Sequence, residues 1–171
     1  MSLRLILTRH AKSDWDNPLL SDHERPLNAR GRKAAPRIGR WLVENDYLPE
    51  QALVSDAVRT RETWDLISAQ FPHEVKVRFV PAIYQAHGNP DVMLDVLGTA
   101  EADTVILIGH NPGIAALAAQ LLRERPEQES FIRYPTCATM VADFEATGWS
   151  ALAWRSGVLR DFIVPRQLEE G

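Results

Sequence analysis

Cysteine is nearly missing: Cys137 stands alone in 171 residues, so the chain forms no internal disulfide. With no Cys or His partner at metal-ligand spacing, its expected role is packing. The sequence also lacks a His-x-His pair, a His-Glu-x-x-His motif and any carboxylate cluster beside His10 or His110, so a metallohydrolase fails on spacing and neither metal nor cofactor is expected. Excess positive charge is absent too: 19 basic against 23 acidic residues leave a net charge of -4. Such a chain has no global attraction for nucleic acid or an anionic membrane, and any anion site must be local. Long hydrophobic runs are lacking, because the apolar stretch Leu3 to Leu7 is broken by Arg4 and followed at once by Arg9-His10. That is too short for a signal segment or a membrane span, so a cytoplasmic protein is expected, with neither nucleic acid nor membrane as partner. No repeat, low-complexity segment or linker divides the chain, and its length suits a single domain over residues 1–171.

What is present is a set of short apolar strands alternating with amphipathic helices. Leu3-Arg4-Leu5-Ile6-Leu7, Ala52-Leu53-Val54 and Thr104-Val105-Ile106-Leu107-Ile108 read as buried strands, the last almost continuous, as central parallel strands are. Ile114, Leu117, Ala118, Leu121 and Leu122 fit the i, i+3, i+4, i+7, i+8 helix template, with Pro112 at a first-turn position. A second helix is predicted over 28–45, with Ala34, Ile38 and Leu42 along one stripe and Pro36 kinking it or delaying its start. A third spans about 57–70, and Asn89 is placed to cap a short one over 91–97. Weaker strand signals lie at 75–80, 139–144 and 151–154. This alternation predicts an α/β layer fold with a largely parallel sheet, whose ligand lies beyond the carboxyl ends of the strands.

Each strong strand ends in residues suited to an anion: Thr8-Arg9-His10, Ser55 to Arg59, and Gly109-His110-Asn111. Arg9-His10 alone reads equally well as a solvated strand end. Gly109-His110-Asn111-Pro112-Gly113 is more specific, since glycine permits close backbone approach and proline opens a helix whose N–H groups and dipole favour an anion. The plainer alternative is that His110 or Asn111 caps that helix. Arg59, taken by itself, reads as a local surface contact with Glu62 or Thr63. Beside Arg9 it becomes half of a two-guanidinium phosphoryl site, because guanidinium groups make bidentate hydrogen bonds that ammonium groups do not reproduce.

Together these segments resemble the histidine phosphatase superfamily, which includes the cofactor-dependent phosphoglycerate mutases, and in particular its small SixA-type branch. The resemblance rests on Thr8-Arg9-His10-Ala11-Lys12-Ser13, on Ser55 through Thr63, and on Gly109-His110. Asp22 through Asn28 with Gly31, then Gly148-Trp149 and Asp161-Phe162-Ile163-Val164-Pro165, are similar to further stretches of that branch, so the likeness extends over nearly the whole chain. It implies a phosphoglycerate mutase-like three-layer α/β/α sandwich and a metal-independent phosphatase. It also implies that His10 is the nucleophile, and that Arg9, Arg59 and His110 surround the phosphoryl oxygens. Ser13, Arg25 and Asn111 are the candidate substrate contacts, Arg25 equally an ion-pair partner of Asp22.

Two departures bear on the chemistry. Ala11 stands for the family's usual glycine, a small change, whereas Ile83-Tyr84-Gln85 falls where many relatives carry a general-acid glutamate, and Gln85 delivers no proton. Asp16 stands where the mutases have asparagine, against a mutase-like pocket. Asp14, Asp16, Asp22, Glu24 and His87 are the substitute acids to weigh, while His23 and His73 read as surface residues. The expected substrate is phosphohistidine on a protein of the histidine-phosphotransfer type, with inorganic phosphate as product. A small phosphorylated substrate, or a non-catalytic phosphate-binding module, is the alternative.

Overall fold

Residues 2–169 are described by the computed structural model, and in it the three apolar runs become the middle of one sheet. Strands β1 (Ser2–Arg9), β2 (Gln51–Val54), β3 (Lys76–Phe79), β4 (Thr104–Gly109), β5 (Thr139–Glu145) and β6 (Val158–Ile163) pair in the order β3-β2-β4-β1-β5-β6. The first four of that order are mutually parallel, and β5 and β6 are added antiparallel. The helices are α1 (Ala29–Glu44), α2 (Val58–Ser68), α3 (Pro81–Gln85), α4 (Pro90–Leu97), α5 (Gly113–Leu121) and α6 (Glu129–Arg133).

Successive side chains of a strand face opposite ways, so a continuous apolar run makes a sheet that is apolar on both sides. Leu5, Leu7, Leu53, Val105 and Leu107 join one core with Met93, Leu97, Ile114, Leu117 and Phe131 of α4, α5 and α6. Ile6, Ala52, Val54, Ile106 and Ile108 join another with Ile38, Leu42, Trp64 and Ile67 of α1 and α2. Each such side chain contributes about 1.5–3 kcal/mol when buried. Helices must therefore cover both faces, and the three-layer sandwich follows.

The structure departs from the sequence reading in three places. The stripe of α1 runs through Gly31, Ala35, Ile38, Gly39 and Leu42 rather than Ala34, and Pro36 sits inside the helix without delaying its start, which Asn28 caps by accepting from the Gly31 amide at 2.9 Å. Residues 151–154 form no strand: Trp149–Ala151 is a 3-10 turn, held where the Trp149 indole donates to the Ala102 carbonyl at 2.6 Å. The last strand is β6, an edge strand whose polar Arg160 and Asp161 break the apolar signal. Among the described residues no helix is long and apolar enough to cross a membrane.

Candidate active site

The carboxyl ends of β1, β2 and β4 lie side by side, and backbone hydrogen bonds continue the ladder past them. The His10 amide donates to the Gly109 carbonyl at 3.0 Å and the Ser55 amide to the Ile108 carbonyl at 3.1 Å. All three predicted segments thus reach one pocket of about 500 Å³, lined by Arg9, His10, Arg59 and His110 together with Ser13, Arg25 and Asn111. Two threonines of α2, both fully buried, hold the frame. Thr60 donates to the carbonyls of Ser55 and Ala57, and Thr63 accepts the Ala11 amide at 3.0 Å, tying the residue after His10 to the helix that carries Arg59.

His10 is only 6% exposed, and its Nδ1 stands 2.7 Å from the Ala11 carbonyl oxygen. A carbonyl only accepts, so Nδ1 carries the proton and Nε2 keeps its lone pair. Burial first, and then His110 and the charges of Arg59 and Arg9, outweigh the hydrogen bond to Ala11 and hold the His10 imidazole well below the ordinary histidine range, neutral at physiological pH. His110 lies across from it, ring centroids 5.3 Å apart, with Nε2 at 2.7 Å from the Ser55 hydroxyl. That hydroxyl oxygen accepts the Ala57 amide at 3.3 Å and is free to donate to His110 Nε2, which leaves a proton on Nδ1. Burial, and next the charge of Arg59, push His110 down to about 3.

His110 Nδ1, Arg9 Nε and Arg59 Nε are buried and have no hydrogen-bond partner in the protein. An unpaired buried donor costs about 1–3 kcal/mol, and these three belong to side chains that line one pocket. The Arg9 guanidinium is anchored through Nη1 on the Tyr134 carbonyl at 3.1 Å, and burial followed by repulsion from Arg59 lowers its pKa. Arg59 is 5% exposed, with Nη1 donating to the Asp22 carbonyl at 2.7 Å and Nη2 to Asp22 Oδ2 at 3.0 Å.

Asp22 is the hub the sequence did not single out as such. Its carboxylate also accepts the Tyr84 hydroxyl at 2.8 Å and the Arg25 guanidinium at 3.0 Å. Burial alone would raise its pKa, but the hydrogen bond from Tyr84 and the charges and hydrogen bonds of Arg59 and Arg25 bring it to about 2. Asp22 is therefore an ionised carboxylate, and it is the sole Asp or Glu among the described residues lining the pocket. Asp14, Asp16 and Glu24 do not line it, and Glu24 instead accepts the Ser21 amide at 3.0 Å. His87 stands exposed at the rim, its ring 6.1 Å from that of Tyr84.

Gln85 does not line the pocket and points to solvent; α3 presents Ile83 and Tyr84 instead. The register of the short helix α3 turns the Gln85 side chain away from the pocket. Arg25 lines the pocket and also pairs with Asp22: it is 7% exposed, donates to Ser13 Oγ at 2.7 Å and lies 3.4 Å over the Trp15 ring. Asn111 lines the pocket with its amide fully engaged, Nδ2 donating to the Arg133 and Tyr134 carbonyls and Oδ1 accepting the Ala115 amide at 3.2 Å. Asn111 thus satisfies one first-turn amide of α5 while it also lines the pocket. His23 is not a free surface residue, pairing with Asp56 at 3.1 Å and meeting the Tyr84 ring edge-on.

The sequence reading also passed over Ser55 and Tyr84 as individual residues. Ser55 had a signal, its spacing from Arg59 within a segment already singled out; Tyr84 had none beyond adjacency to Gln85. Cys137 is buried with its thiol pushed up to about 12 by desolvation, as suits packing. No three His, Cys, Asp or Glu side chains among the described residues are grouped to hold a metal ion.

Comparison with known proteins gives the family and the fold. Residues 5–83 match the histidine phosphatase superfamily (branch 1). An uncharacterized chloroplastic protein of Arabidopsis thaliana is 32% identical over 92% of this chain and 73% of its own. The SixA protein of Nakamurella multipartitia, assigned as a phosphohistidine phosphatase, superposes with a TM-score of 0.78 at 27% identity, covering 96% of this chain and 97% of that one. Phosphoglycerate mutase from Plasmodium falciparum shares the fold, with a TM-score of 0.62 at 19% identity over 95% of this chain and 91% of its own.

Proposed function

Because this chain belongs to the histidine phosphatase superfamily, as a SixA-type phosphatase, we propose that it removes phosphate from phosphohistidine on a protein, with His10 as nucleophile. The observation that carries the reading is the fixed proton of His10. With Nδ1–H bound to the Ala11 carbonyl at 2.7 Å, Nε2 has a lone pair to attack phosphorus in line. The N–P bond of the substrate breaks, and its ring leaves with the electron pair as neutral imidazole when its other nitrogen carries a proton. Arg9, Arg59 and His110 Nδ1–H supply donors to the equatorial oxygens.

Phospho-His10 then holds phosphorus on Nε2 and a proton on Nδ1, so it too departs as neutral imidazole when water attacks. The released phosphate takes up the water's protons or passes them to solvent. Each transfer exchanges one N–P bond and needs no strong general acid, since the leaving imidazole's conjugate acid has a pKa of about 6.5. An alkyl phosphate must expel an alkoxide whose parent acid lies near water, about 15.7, and the lone pocket carboxylate, Asp22 at about 2, has no proton to give at neutral pH.

The test is a substrate panel in excess chelator: a phosphohistidine protein, phosphoramidate, an aryl phosphate and sugar phosphates, with rapid quench. An acid-labile, base-stable phosphate on His10 is expected, together with its loss in His10→Ala and the highest kcat/KM for the phosphohistidine protein. Sugar phosphates turned over as fast as phosphohistidine would overturn the substrate assignment; full activity of His10→Ala would overturn the nucleophile.

A further inference from the structure

A second and larger concavity, about 1220 Å³, opens beside the pocket and shares Arg9, Lys12 and Thr136 with it. It runs between α1, α6 and the 3-10 turn Pro165–Leu168. Seven of its lining side chains are cationic and two are carboxylates, in a chain whose net charge is -4. Lys12, Arg30, Lys33, Arg37 and Arg166 make no side-chain hydrogen bond or ion pair among the described residues. Arg30, Lys33 and Arg37 follow i, i+3, i+7 along α1, a single stripe roughly 10 Å long. Concentrating unpaired cations in one groove of an acidic protein costs self-repulsion, which an anionic partner relieves.

We infer that this groove docks an acidic face of the phosphorylated protein whose phosphohistidine enters the pocket. The inference rests on the phosphoprotein reading above and adds the surface that recognises the protein. The cations come from β1 and the loop after it, from α1, from α6 and from the 3-10 turn, and three of them form one stripe along α1, which suits a row of carboxylates rather than one small anion. Among the described residues no aromatic side chain lines the groove, so it offers no platform for nucleic-acid bases. Because Arg9 lines both concavities, a partner lying along α1 reaches the pocket at the Arg9 guanidinium. Such complementarity acts mainly on association rate and partner choice, and it is screened by salt.

The experiment compares wild type with Arg30→Glu/Lys33→Glu/Arg37→Glu, and with Arg166→Glu from the 3-10 turn. Substrates are an acidic four-helix histidine-phosphotransfer domain, phosphorylated with phosphoramidate, and phosphoramidate itself. The triple variant is expected to lose at least tenfold in kcat/KM on the domain, through KM, and to lose its salt dependence. Arg166→Glu should lose less, and both should match wild type on phosphoramidate. Equal kcat/KM of variant and wild type on the domain overturns the groove assignment alone. A parallel loss on phosphoramidate also overturns it, by making the groove part of the pocket. Selective loss of binding to anionic vesicles or duplex DNA, with the domain still processed normally, reassigns the groove and overturns it. A wild type that hydrolyses phosphoramidate but no phosphohistidine domain overturns the phosphoprotein reading itself.

Discussion

Replacing His110 by Asn should remove a pH-dependent weakness of the fold. In the unfolded chain the imidazole titrates at about 6.5, and in the fold burial first, then Arg59, push it down to about 3. Between those values the unfolded chain binds a proton that the folded chain does not. Stability therefore rises with pH, is fully present above the unfolded value, and is lost as pH falls below it. For these two values the loss between pH 7 and pH 5 comes to about 2 kcal/mol, an upper value because the pocket mouth admits water. A chain of this size shifts in Tm by about 2–4 °C per kcal/mol, so about 4–8 °C. His10 contributes in the same direction in both proteins, since its pKa is also held down by burial. Urea unfolding of wild type and His110→Asn at the two pH values isolates His110: the wild type should lose about 2 kcal/mol more than the variant. Saturating vanadate gives the His110 proton an anionic partner, raises the folded-state pKa and should shrink the difference. Parallel losses in the two proteins would refute the reasoning, because His110 would then titrate normally beside the guanidiniums.

Three further outcomes follow from single contacts. Ser55→Ala removes the hydroxyl at 2.7 Å from His110 Nε2 and frees the ring to take the wrong tautomer; kcat/KM on phosphoramidate should fall about tenfold, near the low end for one oxyanion donor, with Ser55→Thr restoring it and moving the pH profile back. Gln85→Glu should leave alkyl and aryl phosphate rates within about twofold of wild type, as suits a substitution at a solvent-facing position; tenfold faster ester hydrolysis would mean that α3 turns to present it. Gly31→Ala would place a Cβ 2.2 Å from the Lys12 carbonyl oxygen, and displacing that backbone should cost about 1–3 kcal/mol, read as a lowered Tm with reduced activity because the same segment carries His10.

The three buried strands, their parallel pairing and the three segments that end them were legible along the chain, because continuous apolar runs and residue types at strand ends are local properties. Arg9, His10, Arg59 and His110 could be singled out for the same reason: each follows a strand or opens a helix whose position the apolar pattern marks. The edge strand β6 was not legible, since a strand paired on one side and half solvated needs no apolar run. Nor could composition or spacing show that Asp22 gathers Arg59, Arg25 and Tyr84, contacts that span up to 62 positions of sequence. The fate of Gln85 turned on the register of a five-residue helix, where a step of one residue swings a side chain by about 100° and decides between pocket and solvent. Residue chemistry thus belonged to the sequence by itself. Proton positions on the two imidazoles, the counter-charge on Arg59 and the cationic groove were decided only by the tertiary structure, because they depend on distances between groups that the chain keeps far apart.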